Sequence, residues 1–333
     1  MKLSFTIPKA LTSLFSGKNS SPGSPATAPV PANKILELSG NEFSELLEIQ
    51  DEPAVAEKLQ NTTIQVKDHY EIPPAVRKLP PSVEFMKDVD MHTGAALAEF
   101  NAKVHGVAKF SHLQALKSIG EQAEFQELVV DSTQLHRFAG TVHKSAVFKN
   151  SALAAFDPKA RFLGDLDAAG TRITKFNQPV GGSVNLSGSK FLREVGPEAK
   201  IGKDVCLSHT FVESYQGQAG GNADFYYTPK LTEVGEAARI GGNLSAHGSG
   251  IINFAGQVGG NADFTQCKQL KKLAAPASFG GTVQVGGTNI EEVSCPVGRL
   301  EAPGVTTLKT VTPTIVVGKA VDTKVFGKLM ELD

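Results

Sequence analysis

Apolar residues return along this chain in pairs set three apart, and the pairs keep step. Leu153 pairs with Phe156, Ile173 with Phe176, Leu192 with Val195 and Val212 with Tyr215. Leu231 with Val234, Ile251 with Phe254, Leu270 with Leu273 and Ile290 with Val293 follow. Successive pairs from Leu153 to Ile290 are separated by 19 or 20 residues throughout. Less regular members extend the series back to Leu97 with Phe100 and forward to Leu308 with Val311 and Phe326 with Leu329. Between pairs, a second pattern alternates with period two. Gly181-Gly182-Ser183-Val184-Asn185-Leu186, Gly220-Gly221-Asn222-Ala223-Asp224-Phe225 and Gly259-Gly260-Asn261-Ala262-Asp263-Phe264 are its clearest copies. Strict alternation is the mark of a half-buried strand.

The period decides the architecture. A unit of about 20 residues with only five to eight residues between an anchor pair and the next glycine pair cannot hold a three-turn helix. Each unit is expected to be strand, turn, strand, turn. One such coil cannot bury its apolar face, but a stack can. The expected fold is therefore a β-solenoid of stacked ~19–20-residue coils with little helix. At a strand spacing of ~4.8 Å, a dozen coils give a rod on the order of 55–60 Å long. The inward set is Val184, Leu186, Ala223, Phe225, Leu244, Ala246, Ala262, Phe264, Val283 and Val285, plus the anchors. The recurring glycine pairs are expected at a corner that stacks closely and needs positive φ, which glycine adopts at little cost. They lack the strand–Gly-x-Gly-x-x-Gly–helix context of a nucleotide loop.

Ahead of the repeat the pattern changes twice. Residues 1–33 read as a disordered leader, Ser/Pro-rich from Lys18 onward, whose composition cannot support a packed core. Pro8 and Lys9 interrupt its early apolar positions, against a secretory signal peptide. Residues 34–82 read as a helical and extended cap. Phe43, Leu46 and Leu47 fall on one helical face, and a second short helix starts near Pro53 with Val55 and Leu59. The Pro-Pro pairs at 73–74 and 80–81 bar helix from Glu71 to Ser82. The solenoid is expected over 83–333.

Composition narrows the chemistry. The formal net charge of -1 removes the main argument for a nucleic-acid partner. No apolar run reaches the ~18–20 residues of a membrane span. Cys206, Cys267 and Cys295 have neither disulfide-framework nor metal-ligand spacing and read as repeat-filling residues. No two of the eight histidines form a metal-binding motif, though stacking could bring His105, His112, His136 and His143 to one side. No cofactor is expected. Asp224 and Asp263 hold equivalent positions two coils apart, which reads either as a duplicated outward residue or as a carboxylate pair on a groove. Tyr226-Tyr227 breaks the pattern where sister units have Ser187-Gly188 or Thr265-Gln266, and Tyr215 replaces an apolar anchor. Tyrosines on a solenoid surface make good protein contacts, so Tyr215, Tyr226, Tyr227, Asp224 and Asp263 are the candidate binding residues.

The motif from Val180 to Ser189, and the similar one from Leu300 to Val311, resembles the short glycine-bearing leucine-rich-repeat variant of bacterial proteins. This chain departs from ordinary leucine-rich repeats in lacking a regular asparagine ladder; Ser187, Thr228 and Thr265 stand near that place. Such repeats behind a Ser/Pro-rich leader are similar to effectors injected by type III secretion. That resemblance implies a non-enzymatic protein-binding solenoid, secreted into a host cell, with a host protein as partner and a secretion chaperone at the N-terminus. The alternatives are a groove-type enzyme acting on carbohydrate or protein, and an adhesive or structural solenoid at a cell surface.

Overall fold

The structure is a computed structural model that describes Thr12 and residues 34–311. The leader apart from Thr12, and residues 312–333 with the last anchor pair Phe326 and Leu329, lie outside the described residues. The rest is a parallel β-solenoid of about 13 stacked turns.

Each regular coil contains three strands, not two. In one column Leu166, Val184, Val205, Ala223, Leu244, Ala262, Val283 and Leu300 pair in parallel register. In the second, the far members of the anchor pairs align: Phe176, Val195, Tyr215, Val234 and Phe254. The third column is Ile201, Ala219, Ile240, Val258 and Phe279, each one residue before a glycine. Its apolar residue is a single one, flanked by glycine, so no alternation announces the strand. All ten residues of the inward set are buried, and so are both members of every anchor pair from Leu97 with Phe100 to Ile290 with Val293.

The glycine pairs do sit at a corner, between the third column and the first, but positive φ is not their reason. None of the pairs has it. They are glycines because the coils touch there. A Cβ on Gly220 would lie 2.4 Å from the carbonyl oxygen of Gly202, and one on Gly241 would lie 2.2 Å from that of Gly220. The second glycine of each pair makes room for a side chain of the coil before. A Cβ on Gly221 would meet Asp204 Oδ1 at 2.3 Å, and one on Gly242 would meet Asn222 Oδ1 at 2.6 Å. Those oxygens accept the next backbone N–H: Asn222 N donates to Asp204, Asn243 N to Asn222, Asn261 N to Asn243 and Thr282 N to Asn261, at 2.6–2.9 Å. A ladder of Asp and Asn thus ties coil to coil on the outer side of this corner.

A second ladder runs inside, at the corner between the first and second columns. Ser151, Thr171, Ser189, Thr210, Thr228, Ser249, Cys267 and Thr288 are all buried there. Thr171, Thr210, Thr228 and Thr288 each donate to the carbonyl three residues back, at 2.7–2.8 Å. Of the three residues expected near a ladder, only Thr228 belongs to it. The residue before each rung is left-handed: Asn150, Gly170, Gly188, His209, Tyr227, Gly248, Gln266 and Gly287 all have φ between 51° and 68°.

The segment 34–82 is joined to the stack. Strand β1 (Lys34–Leu38) pairs in parallel with β2 (Thr62–Val66), which pairs with β3 (Val83–Phe85). Helices α1 (Gly40–Ile49) and α2 (Pro53–Leu59) occupy the connection between β1 and β2. Ser39 and Glu42 form a capping box at the start of α1, each satisfying a backbone N–H of the other. Phe43, Leu46 and Ile49 of α1 and Val55 and Leu59 of α2 join the common core. The apolar face of the helices therefore closes one end of a core that would otherwise stop at bare side chains. No helix follows over 71–82, as its prolines require.

Candidate recognition surface

The turn after the first column is built the same way in coil after coil. A side-chain oxygen at the outward position accepts the N–H two residues on, an Asx turn that sharpens the corner. Asp167 does this to Ala169, Asn185 to Ser187, Asp224 to Tyr226 and Asp263 to Thr265. The repeated identity of Asp224 and Asp263 has this local use: both carboxylates accept hydrogen bonds from their own turns.

Where Asp224 makes that turn, it presents two aromatic rings. Tyr226 follows directly, and Tyr227 takes the left-handed place at φ 51°. Both are exposed, at 38% and 50%. The coils on either side put His209 and His247 at the same height. His209 stacks on Tyr227 with ring centroids 5.9 Å apart, His247 stacks on Tyr226 at 5.6 Å, and the two tyrosines meet edge to face at 4.7 Å. The backbone beneath is pinned on both sides, with His209 N donating to Tyr226 O and Tyr227 N to His247 O. Asp263 reaches the cluster through a relay. Thr265 Oγ1 donates to Asp263 Oδ1 at 2.5 Å, which leaves His247 Nδ1–H to donate to Thr265 Oγ1 at 2.8 Å. That bond fixes the plane of the ring lying over Tyr226. Phe211 lies one turn further round its coil, with Lys190 Nζ 4.9 Å and Lys230 Nζ 5.3 Å from its ring centroid.

Four of the five sequence-predicted residues therefore converge: Tyr226 and Tyr227 as the surface, Asp224 and Asp263 as its supports. Tyr215 does not belong. It is wholly buried in the second column, its ring 4.8 Å from Phe225, and its hydroxyl has no hydrogen-bond partner among the described residues. Burial pushes its phenol well above the usual range. It fills an anchor position, where the pattern demands an inward side chain whatever its type. His209 and His247 escaped the sequence reading because they are single residues 38 apart in the chain. The signal available was their spacing from Tyr227 and Tyr226, 18 and 21 residues, close to one coil.

The other candidate chemistry disperses. His105 and His143 share a face two coils apart, while His112 lies on a left-handed turn and His136 adjoins a second-column strand. Among the described residues no group of three or more His, Cys, Asp or Glu is placed to hold a metal ion. Cys267 is a rung of the inner ladder, donating to Ala246 O at 3.0 Å, and burial raises its pKa. Burial pushes the Cys295 thiol up to about 11. A reactive cysteine needs its thiolate. Cys206 alone is half-exposed, on the strand before Asp224. A thiol-reactive dye at pH 8 should accordingly label one cysteine per native chain, at Cys206, and all three in urea. Native labelling of Cys267 or Cys295 at the Cys206 rate would contradict this burial.

No helix among the described residues is long and apolar enough to cross a membrane. No family model, curated protein or solved structure matches the chain.

Proposed function

We propose that the chain is a non-enzymatic protein-recognition solenoid whose contact surface centres on Tyr226 and Tyr227. The observation that carries this reading is the four-ring cluster of His209, Tyr226, Tyr227 and His247. Tyrosine offers a large amphipathic surface at little entropy cost, and the pinned turns and stacked neighbours reduce that cost further. Asp224 and Asp263 support the same reading, since their hydrogen bonds shape the cluster. The proposed setting is a bacterial protein secreted into a host cell, with a host protein as partner. Its support is compositional, the Ser/Pro-rich stretch of 18–33. A translocation reporter fused behind residues 1–33 tests it directly.

The recognition surface is tested by capture from host-cell lysate with the full chain and with the Tyr226→Ala/Tyr227→Ala double variant. Centrally placed aromatic contacts are worth about 2 kcal/mol or more each, roughly 30-fold in affinity. The double variant should lose the specifically captured protein while keeping its thermal midpoint, because both rings lie on the surface. Equal capture by the two forms would sink the reading.

A further inference from the structure

A second surface lies on a different side of the coil and carries charge where the first carries rings. A trough of about 850 Å³ runs along the third column over the glycine corner. Its floor is backbone: Gly181, Gly202, Gly220, Gly241 and Gly259 follow one another coil by coil, and exposed Leu163 stands at one end. Beside the floor, the residues preceding the third-column apolar positions form a row. In it Arg161, Lys200 and Arg239 occupy alternate coils, with Gln218 between the last two. All three cations are exposed and line the trough, and no carboxylate lines it. None of the three makes an ion pair among the described residues. The second face behaves otherwise, pairing Lys175 with Glu194 and Lys272 with Glu292 across coils.

We infer that this trough binds an acidic, proline-rich peptide segment in polyproline II conformation, lying along the solenoid axis with a carboxylate at every third residue. Charge complementarity sets the sign of the partner: an uncompensated row of cations over an apolar floor fits an anionic chain with apolar residues between its charges. Spacing sets the conformation. Two coils rise ~9.6 Å, from a strand separation of ~4.8 Å. A polyproline II chain advances ~9.3 Å per three-residue turn, so residues i, i+3 and i+6 face the same way at the spacing of the cations. An extended β-strand fits less well, because its side chains face the same way only at even separations. The floor also excludes binding by strand addition. Its backbone N–H groups are spent on the coil before, Gly202 donating to Val180 O and Gly220 to Ile201 O. A ligand held there must bind by side chains and packing, as polyproline II ligands do.

The test is fluorescence anisotropy of the full chain with labelled (Glu-Pro-Pro)5. Saturable binding is expected, weakened by added salt and absent with (Lys-Pro-Pro)5. The Arg161→Gln/Lys200→Gln/Arg239→Gln triple variant should bind at least about tenfold more weakly, and each single variant about two- to threefold. Melting should shift little, since these exposed side chains have no ion pair to lose and Arg239 gives up only its surface hydrogen bonds to the Glu236 and Ala238 carbonyls, and the Tyr226→Ala/Tyr227→Ala variant should bind the peptide normally. Equal binding by the triple variant overturns the assignment to this trough. Equal binding of a peptide with glutamate at every second residue overturns the spacing argument. Tighter binding of an oligogalacturonate, lost in the triple variant, overturns the peptide in favour of an anionic polysaccharide.

Discussion

Gly241→Val is expected to lower stability by at least about 3 kcal/mol, at the top of the range for forced overpacking. The obstacle is backbone. A Cβ at 241 would lie 2.2 Å from the Gly220 carbonyl oxygen, and a Cβ on Gly259 in the next coil would stand 2.3 Å from the Gly241 oxygen. Making room means parting two coils whose hydrogen bonds, such as Gly241 N to Ala219 O, hold the stack. The comparison that isolates this cause is Gly188→Asn. Gly188 has the unusual backbone angle, φ 68°, but nothing within 4 Å of its added Cβ. Equivalent turns already place Asn150, His209, Tyr227 and Gln266 at positive φ. That change should cost less than about 1 kcal/mol, since asparagine tolerates the left-handed region. Urea denaturation followed by circular dichroism measures both. Similar losses in the two variants would show that backbone angle, not coil contact, governs the glycines.

The second large effect is expected at the closed end. Phe43→Ala should cost about 3–5 kcal/mol, the range for emptying a buried aromatic site. Its ring meets Tyr70 edge-on at 5.1 Å and Phe85 at 5.7 Å. Phe85 continues the aromatic stack to Phe100, and Phe100 to Phe110 and Phe125. Because each coil leans chiefly on its neighbours, the loss should stay near its origin. Hydrogen exchange should quicken in β1, β2 and β3 while the strands around Phe225 and Phe264 keep their protection. Uniform loosening of the whole rod would mean that it unfolds as one unit and that α1 is not a local closure.

The solenoid was legible because two periods lock together: the anchor pairs recur at 19–20 residues, and the alternating hexads keep phase with them. The third strand was not, since Ala219 or Ile240 beside glycine gives one apolar residue and no alternation. The outer ladder was also hidden. Asp204, Asn222, Asn243 and Asn261 follow the glycine corner, whereas the resemblance to leucine-rich repeats points to the other end of the alternating strand, near Ser187, Thr228 and Thr265. Asp and Asn look alike to a periodicity count because both read as polar, although here each supplies the same acceptor oxygen. Tyr226 and Tyr227 could be found because they interrupt a repeat. Tyr215 was misplaced for the converse reason: it substitutes within the repeat, and the position rather than the residue type decides which way it points. His209, His247 and the Arg161, Lys200 and Arg239 row become neighbours only when the coils are laid in register.

The parallel pairing has a mechanical meaning. The hydrogen bonds between coils run along the rod, and each coil is one turn of 19 or 20 residues, counted at the second column, contributing ~4.8 Å of rise. Tension applied to the two ends would peel coils from an end one after another, each releasing up to about 70 Å of contour at ~3.3–3.6 Å per residue. A rod about 60 Å long thus stores on the order of 900 Å of tether across residues 34–311. Force would lengthen it in steps, and a surface such as that of Tyr226 and Tyr227, four coils inside the C-terminal end of the described stack and further from the other, would keep its shape while the ends gave way.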